Sequence, residues 1–171
     1  MADISNLLFI ALQPLHGLPP GCGKLLEAAA HLHDVGHYVS AVSHHKHSYY
    51  VVSNSDMAGF TDRERILIAA LCRYHRKSLP NSLHSVYLAL SPEERNTLMM
   101  MIPILRLADN LDRSREQPIQ GVDCRLRDGG AVVLQVRATG DIDLEQWAAE
   151  RAGEVFQQIY SRPISVVKAR E

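Results

Sequence analysis

Apolar residues recur at helical spacing through the first two thirds of the chain and alternate with polar ones near its end. Ile4, Leu7, Leu8, Ala11, Leu12 and Leu15 define one face of a first helix that runs to about His16. The segment GLPPGCG, 17–23, interrupts it with glycine and proline and reads as a loop. Leu25, Leu26, Ala29, Leu32 and Gly36 mark one face of a second helix. SHHKHSYYVVSNS predicts a third helical element, despite its β-branched pair, and GFTDRERILIAALCRYHRK a fourth. Thr61 and Glu64 have the spacing of a capping box and set the start of that fourth helix near residue 62. SPEERNTLMMMIPILRLADNLDRSRE predicts a long last helix. Ser91 is its N-cap, Pro92 fits the first turn, Glu94 completes a second capping box, and Pro103 is expected to kink it.

The period changes after Pro118. VDCRLR, 122–127, alternates apolar and polar residues and predicts a strand. Asp128-Gly129-Gly130 is a turn signal, and AVVLQVRA is a second strand, so the two form a hairpin. Leu144, Trp147, Ala148, Arg151, Val155, Phe156 and Ile159 form an amphipathic helix, and ISVVKA closes as a third strand. The expected fold class is therefore mainly α: a helical domain over 1–117 followed by a small α+β unit, β-β-α-β, over 118–171.

Composition changes this picture little. With 46% hydrophobic and 22% charged residues in 171, the chain has enough apolar material for a real core. A formal net charge of −1 leaves no bulk polycation for nonspecific nucleic-acid binding, and no specific nucleic-acid partner is expected. Cys22, Cys72 and Cys124 are odd in number and widely spaced, which suggests buried reduced thiols and a cytoplasmic setting. The apolar centre of MADISNLLFIALQPL lacks a basic leader and a cleavage site, and Pro14 interrupts it. Neither a signal peptide nor a membrane anchor is expected.

Histidine does change the picture. There are nine, and AAAHLHDVGHYVS, 28–40, places three of them and an aspartate in an alanine-rich helical run. Adjacent residues on a helix diverge by about 100°, so His33 and Asp34 are able to lean toward one ion at a helix seam. An imidazole beside a carboxylate suits a divalent first-row metal. His37 lies four residues after His33, on the same face. In the last helix Leu98, Ile102, Leu105, Asp109 and Asp112 share a stripe, so Asp109 is a carboxylate on an otherwise apolar face. Such a group needs a metal, water or an arginine such as Arg73 or Arg106. Asp112 is nearer the helix end, within reach of Arg113 or Arg115. His44, His45, His47 and His75 follow on the third and fourth elements, beside Lys46, Arg73, Arg76 and Lys77. Metal ligands next to cations suit a phosphate site, although charged runs also simply solvate a helix end.

The order HD, H, H, D over successive helices resembles the HD superfamily of metal-dependent phosphohydrolases. The strings HHKHSYY, RYHRK and ILRLADNLDRSR, together with the tail GDIDLEQWAAERAGEVFQQIYSRPISVV, resemble the C-terminal HD-type region of the exopolyphosphatase/guanosine-pentaphosphate phosphohydrolase (Ppx/GppA) family. The resemblance implies His33, Asp34 and Asp109 as metal ligands, with His47 and His75 matching the extra histidines of two-metal members. It implies catalytic roles for Asp34, His47 and His75, and phosphate-holding roles for Lys46, Arg73, Arg76 and Lys77. The cofactor implied is a divalent metal: Mn, Mg, Fe or Zn. Two departures accompany it. The family's phosphoanhydride-cleaving site lies in N-terminal actin-like domains that nothing here matches. HD proteins also usually carry a ligand on an earlier helix, where this chain offers only His16.

Three functions are compatible with these residues. The first is an HD-type phosphohydrolase acting on phosphoesters or phosphoanhydrides. The second is an accessory module that binds polyphosphate or a guanine nucleotide for a separate catalytic domain. The third is a scaffold that pairs with a second copy of itself. The expected partner is a phosphorylated small molecule or polyphosphate, without a membrane.

Overall fold

The computed structural model describes residues 1–127 and 129–169; Asp128 of the expected turn lies outside the described residues. Helices make up most of the chain, and a three-stranded sheet lies near its C-terminus. The architecture is mainly α with a small α+β unit, as the residue pattern predicts.

The first predicted helix is two: α1 (Ala2–Ala11) and α2 (Gln13–His16). Pro14 sits in the first turn of α2, where its missing N–H costs nothing. Gly17, at φ 59°, closes α2 in the left-handed conformation that glycine adopts without penalty. The next helix, α3 (Gly21–Leu32), begins inside the expected loop and stops before the HD pair. Val35–Tyr38 then form a 3₁₀ turn. His33, Asp34 and His37 therefore sit at a helix end, not along one continuous face.

α4 (His44–Ser53) and α5 (Asp62–Tyr74) follow. A short α6 (Ser85–Leu88) precedes α7 (Pro92–Asn110), which continues through Pro103. Both expected capping boxes form: Thr61 with Glu64 and Ser91 with Glu94. α7 ends earlier than its pattern suggests because side chains capture the backbone beyond it. Asp112 Oδ1 accepts from the Gln117 N–H at 3.0 Å, and Glu145 Oε1 accepts from the Ser114 N–H at 3.0 Å.

β1 (Ile119–Leu126) and β2 (Val132–Ala138) pair antiparallel, with Cys124 opposite Leu134. Gly129 and Gly130 take positive φ between them, as a tight reversal requires. α8 (Asp143–Tyr160) crosses over to β3 (Ile164–Lys168), which runs parallel to β2, giving the order β1-β2-β3.

One apolar cluster spans both parts. Leu8, Leu26, Ile68, Leu71, Leu98 and Ile102 are continuous with Val132, Leu134, Val136 and Phe156. The bridges are α1 against β1 and α7 against α8. Burying each such side chain contributes about 1.5–3 kcal/mol. Cutting one to alanine in this close-packed centre costs about 2–5 kcal/mol. The packing of α7 on α8 makes α8 one wall of the principal cavity.

Candidate metal and phosphate site

Two helices end in histidine, and this aims both rings. His33 and His75 are the C-caps of α3 and α5. The last carbonyls of a helix lack intrahelical donors, and each ring fills that need locally. His33 Nδ1–H donates to the Ala30 carbonyl at 2.8 Å, and His75 Nδ1–H donates to the Cys72 carbonyl at 2.8 Å. His44, the first residue of α4, directs Nδ1 at the Ala41 carbonyl at 3.4 Å. With Nδ1–H so engaged, Nε2 of each ring carries the lone pair whenever that ring is neutral. These three Nε2 atoms converge on Asp34.

Asp34 Oδ1 lies 3.2 Å from His44 Nε2, 3.7 Å from His75 Nε2 and 3.7 Å from His37 Nε2. Its Oδ2 lies 3.4 Å from His33 Nε2 and accepts from Arg115 Nη2 at 2.6 Å. Asp109 Oδ1 is 3.5 Å from the same His33 Nε2. Residues 75 apart in sequence, from 34 to 109, thus meet around one ring.

The turn that carries Asp34 is locked to α4. Ser48 Oγ–H donates to the His33 carbonyl at 2.6 Å and accepts from the Gly36 N–H at 2.9 Å. A Cβ on Gly36 would collide with the His44 carbonyl and the Ser48 nitrogen, so only glycine permits this approach.

The donor set fits a divalent cation on three counts. Asp34, His44 and His75 each offer a ligand atom, and these atoms lie within 4.8 Å of one another. His33 Nε2 is buried without a formed hydrogen bond. His44 Nε2 and His75 Nε2 face each other at 3.2 Å, and neither has a proton to share when both Nδ1 atoms are protonated. Neutral imidazoles and carboxylates with bare lone pairs are what such an ion requires. Each histidine also has an outer partner, the carbonyl that holds its far ring nitrogen, and Asp34 has Arg115.

Electrostatics separates the histidines. Burial lowers the pKa of His44, and it lowers His75 to about 4, so both stay neutral. His33 is buried too, but the carboxylates of Asp109 and Asp34 outweigh burial and raise it to about 9. In return His33 first, and Arg115 next, hold Asp34 well below the usual carboxylate range. Burial opposes the ionisation of Asp109, yet His33 leaves its pKa lowered. His45 packs edge-on against His44 and His75. Burial, then Arg73 and Arg76, push it down to about 4.

Above this floor opens a cavity of about 520 Å³. Asp34, Asp109, His37, His44 and His75 share it with Arg76, Lys77, Arg106, Arg113, Arg115 and Arg151. Six cations face two carboxylates. Arg106 is already committed, donating to the Tyr74 carbonyl at 3.0 and 2.8 Å and to the Lys77 carbonyl at 2.9 Å. It holds the turn after α5 and does not pair with Asp109.

Of the residues singled out in the sequence, Asp34, His75, Asp109, Arg76 and Lys77 border the cavity, and His33 lies beneath them. Lys46, His47 and Arg73 are not among its lining. His47 is partly buried, with its Cβ against Gly36, and Arg73 lies over the Tyr74 ring. His44 takes the place expected of His47. The signal was present: His44, His45, Ser48 and Val52 form the buried face of α4, whereas His47 is four residues from Val51. His37 reaches the cavity through the 3₁₀ turn and stacks on His44 with ring centroids 3.9 Å apart. His16 supplies no early ligand. Its Nε2–H donates to the Phe9 carbonyl at 2.8 Å and its Nδ1 accepts from the Leu18 N–H at 2.9 Å.

Residues 18–146 match the family model "Ppx/GppA phosphatase, domain III". A helical body with a small β-β-α-β unit and a histidine–carboxylate cluster thus has a family: the chain belongs to the Ppx/GppA phosphatases. Relatives carry the name guanosine-5'-triphosphate,3'-diphosphate pyrophosphatase. The chain is 38% identical over 68 residues to one from Pseudoalteromonas translucida, covering 40% of this chain and 13% of the relative. It is 27% identical over 140 residues to one from Vibrio vulnificus, covering 80% of this chain and 27% of the relative. The matched region is thus about a quarter or less of these curated relatives' length.

Proposed function

We propose that the cavity is a metal-dependent phosphate site of HD type, and that the chain cleaves a phosphoester or phosphoanhydride there. One observation carries this reading: three buried imidazoles direct Nε2 at Asp34 directly beneath a rim of cations. His33, Asp34, His44, His75 and Asp109 are the residues to hold the ion. A divalent cation bound there supplies Lewis acidity toward a phosphoryl oxygen and makes a water acidic enough to react near neutral pH. The chain's own part is to bind and orient. Arg76, beside His44 at 3.4 Å, and Lys77 neutralise a phosphate set over the floor. His44 and His75 stay neutral, so their lone pairs remain on offer.

The second reading, an accessory module that binds the polyanion without cleaving it, draws support from the match to domain III. Metal analysis of the purified chain, with an activity screen over polyphosphate, guanosine polyphosphates and generic phosphoesters with and without Mn²⁺, separates the two. Metal-dependent turnover supports the enzyme. Anion binding without turnover under any metal supports the module. Neither binding nor turnover overturns both.

A further inference from the structure

Five of the six cations of the cavity come from the helical part of the chain, and three of these are engaged there. Arg115 pairs with Asp34, Arg106 with carbonyls, and Arg76 with His44. Arg151 differs. It comes from α8, on the wall that this helix forms with Ala152 and Val155, and like Lys77 and Arg113 its side chain forms neither an ion pair nor a hydrogen bond among the described residues. Trp147, Arg151 and Val155 stand in one row at spacings of four. The Arg151 guanidinium carbon lies 5.2 Å from the centroid of the Trp147 ring, and Trp147 is 54% exposed. Such a cation–π contact restrains the guanidinium without consuming its N–H donors.

We infer that Arg151, steadied by Trp147, is a specificity-determining residue that binds the part of an anion extending away from the histidine–carboxylate floor. This rests on the reading of the cavity as a phosphate site. A volume of about 520 Å³ lies within the range of sites for drug-sized ligands, roughly 300–1,000 Å³. One phosphate over His44 and Arg76 leaves the α8 wall untouched. A linear ligand with further phosphates reaches it. Arg151 therefore discriminates by ligand length, and the β-β-α-β unit contributes to recognition as well as to packing.

The test compares inorganic phosphate with inorganic triphosphate by calorimetry on the whole chain without added metal, for the parent, Arg151→Ala, Arg151→Lys and Arg76→Ala. Trp147, the single tryptophan, gives a second readout in the parent. Arg151→Ala is expected to weaken triphosphate by about tenfold or more, the scale of one hydrogen-bonded charge contact, and to leave phosphate nearly unchanged. Arg151→Lys restores part of the loss. Arg76→Ala weakens both ligands. Trp147 emission shifts with triphosphate and not with phosphate. Equal losses for both ligands in Arg151→Ala, or none, overturn the distal role while leaving the phosphate site standing. A parent that binds neither anion, here and in a repeat with Mn²⁺ added, overturns the phosphate site itself. Arg151 is exposed, so an unchanged melting temperature is expected and shows that the variants are folded.

Discussion

The end of α2 and the end of α3 each bury a histidine, His16 at 7% exposure and His33 at 4%, and the two sites do opposite things. His16 spends both nitrogens on backbone groups and stacks on Phe9 with centroids 4.4 Å apart. It closes a turn and has nothing left to offer. His33 spends one nitrogen on Ala30 and leaves the other between two carboxylates. Burial and residue type therefore do not mark a ligand. The fate of the second ring nitrogen does.

Removing the carboxylate at the centre of the second region has the largest expected effect. Asp34→Asn keeps the shape and removes the charge that faces His33, His44 and His75. Mn²⁺ affinity should fall at least about 100-fold, beyond the 10–100-fold typical of losing an outer partner. His16→Ala should leave uptake unchanged. Equilibrium dialysis of both variants checks the pair, and metal loss in a folded His16→Ala protein would break the contrast.

Stability should respond in the opposite order. His16→Ala strips the Phe9 carbonyl and the Leu18 N–H of their partner. The expected cost is about 1–3 kcal/mol, read as a lower midpoint in urea denaturation.

Titration sharpens the comparison, because the two histidines carry opposite signs. Burial lowers the pKa of His16, so its neutral form stabilises the fold above its unfolded value near 6.5 and this is lost as pH falls. His33 is raised to about 9, so its contribution to the metal-free protein is complete below its unfolded value of 6.5 and is lost as pH rises through about 9. Proton NMR of the metal-free chain should show one ring titrating near 9 and another below 6.5. Metal taken up near neutral pH should displace the His33 proton. A His33 signal that titrates near 6.5 would mean that the carboxylates do not face it in solution.

The smallest expected effect is on α4. His47→Ala should leave metal uptake as in the parent, whereas His44→Ala lowers it. The reverse result would return the role to His47, the residue that the family resemblance favours.

Much of the fold was legible in residue order, since its signals are local. Both capping boxes, the period-two run of β1 and the apolar face of α8 depend on residues within a few positions of one another. The HD pair and Asp109 were legible as well, because a carboxylate on an apolar stripe demands a partner wherever the stripe packs. The break at Leu12 and the early end of α7 were less so. The latter depends on Glu145 reaching Ser114 across 31 positions.

What the sequence determined by itself was thus the order of the main elements, the starts of α5 and α7, and the fact that Asp109 lay on an apolar face needing a partner. Only the tertiary structure decided which nitrogen of each ring was spent, that His44 and not His47 faced Asp34, and that Arg115 and Arg151 met at one cavity. The reason is physical. Capping and periodicity are settled within a turn or two of chain, whereas a free lone pair is defined by which groups from distant elements do, and do not, come within hydrogen-bonding distance.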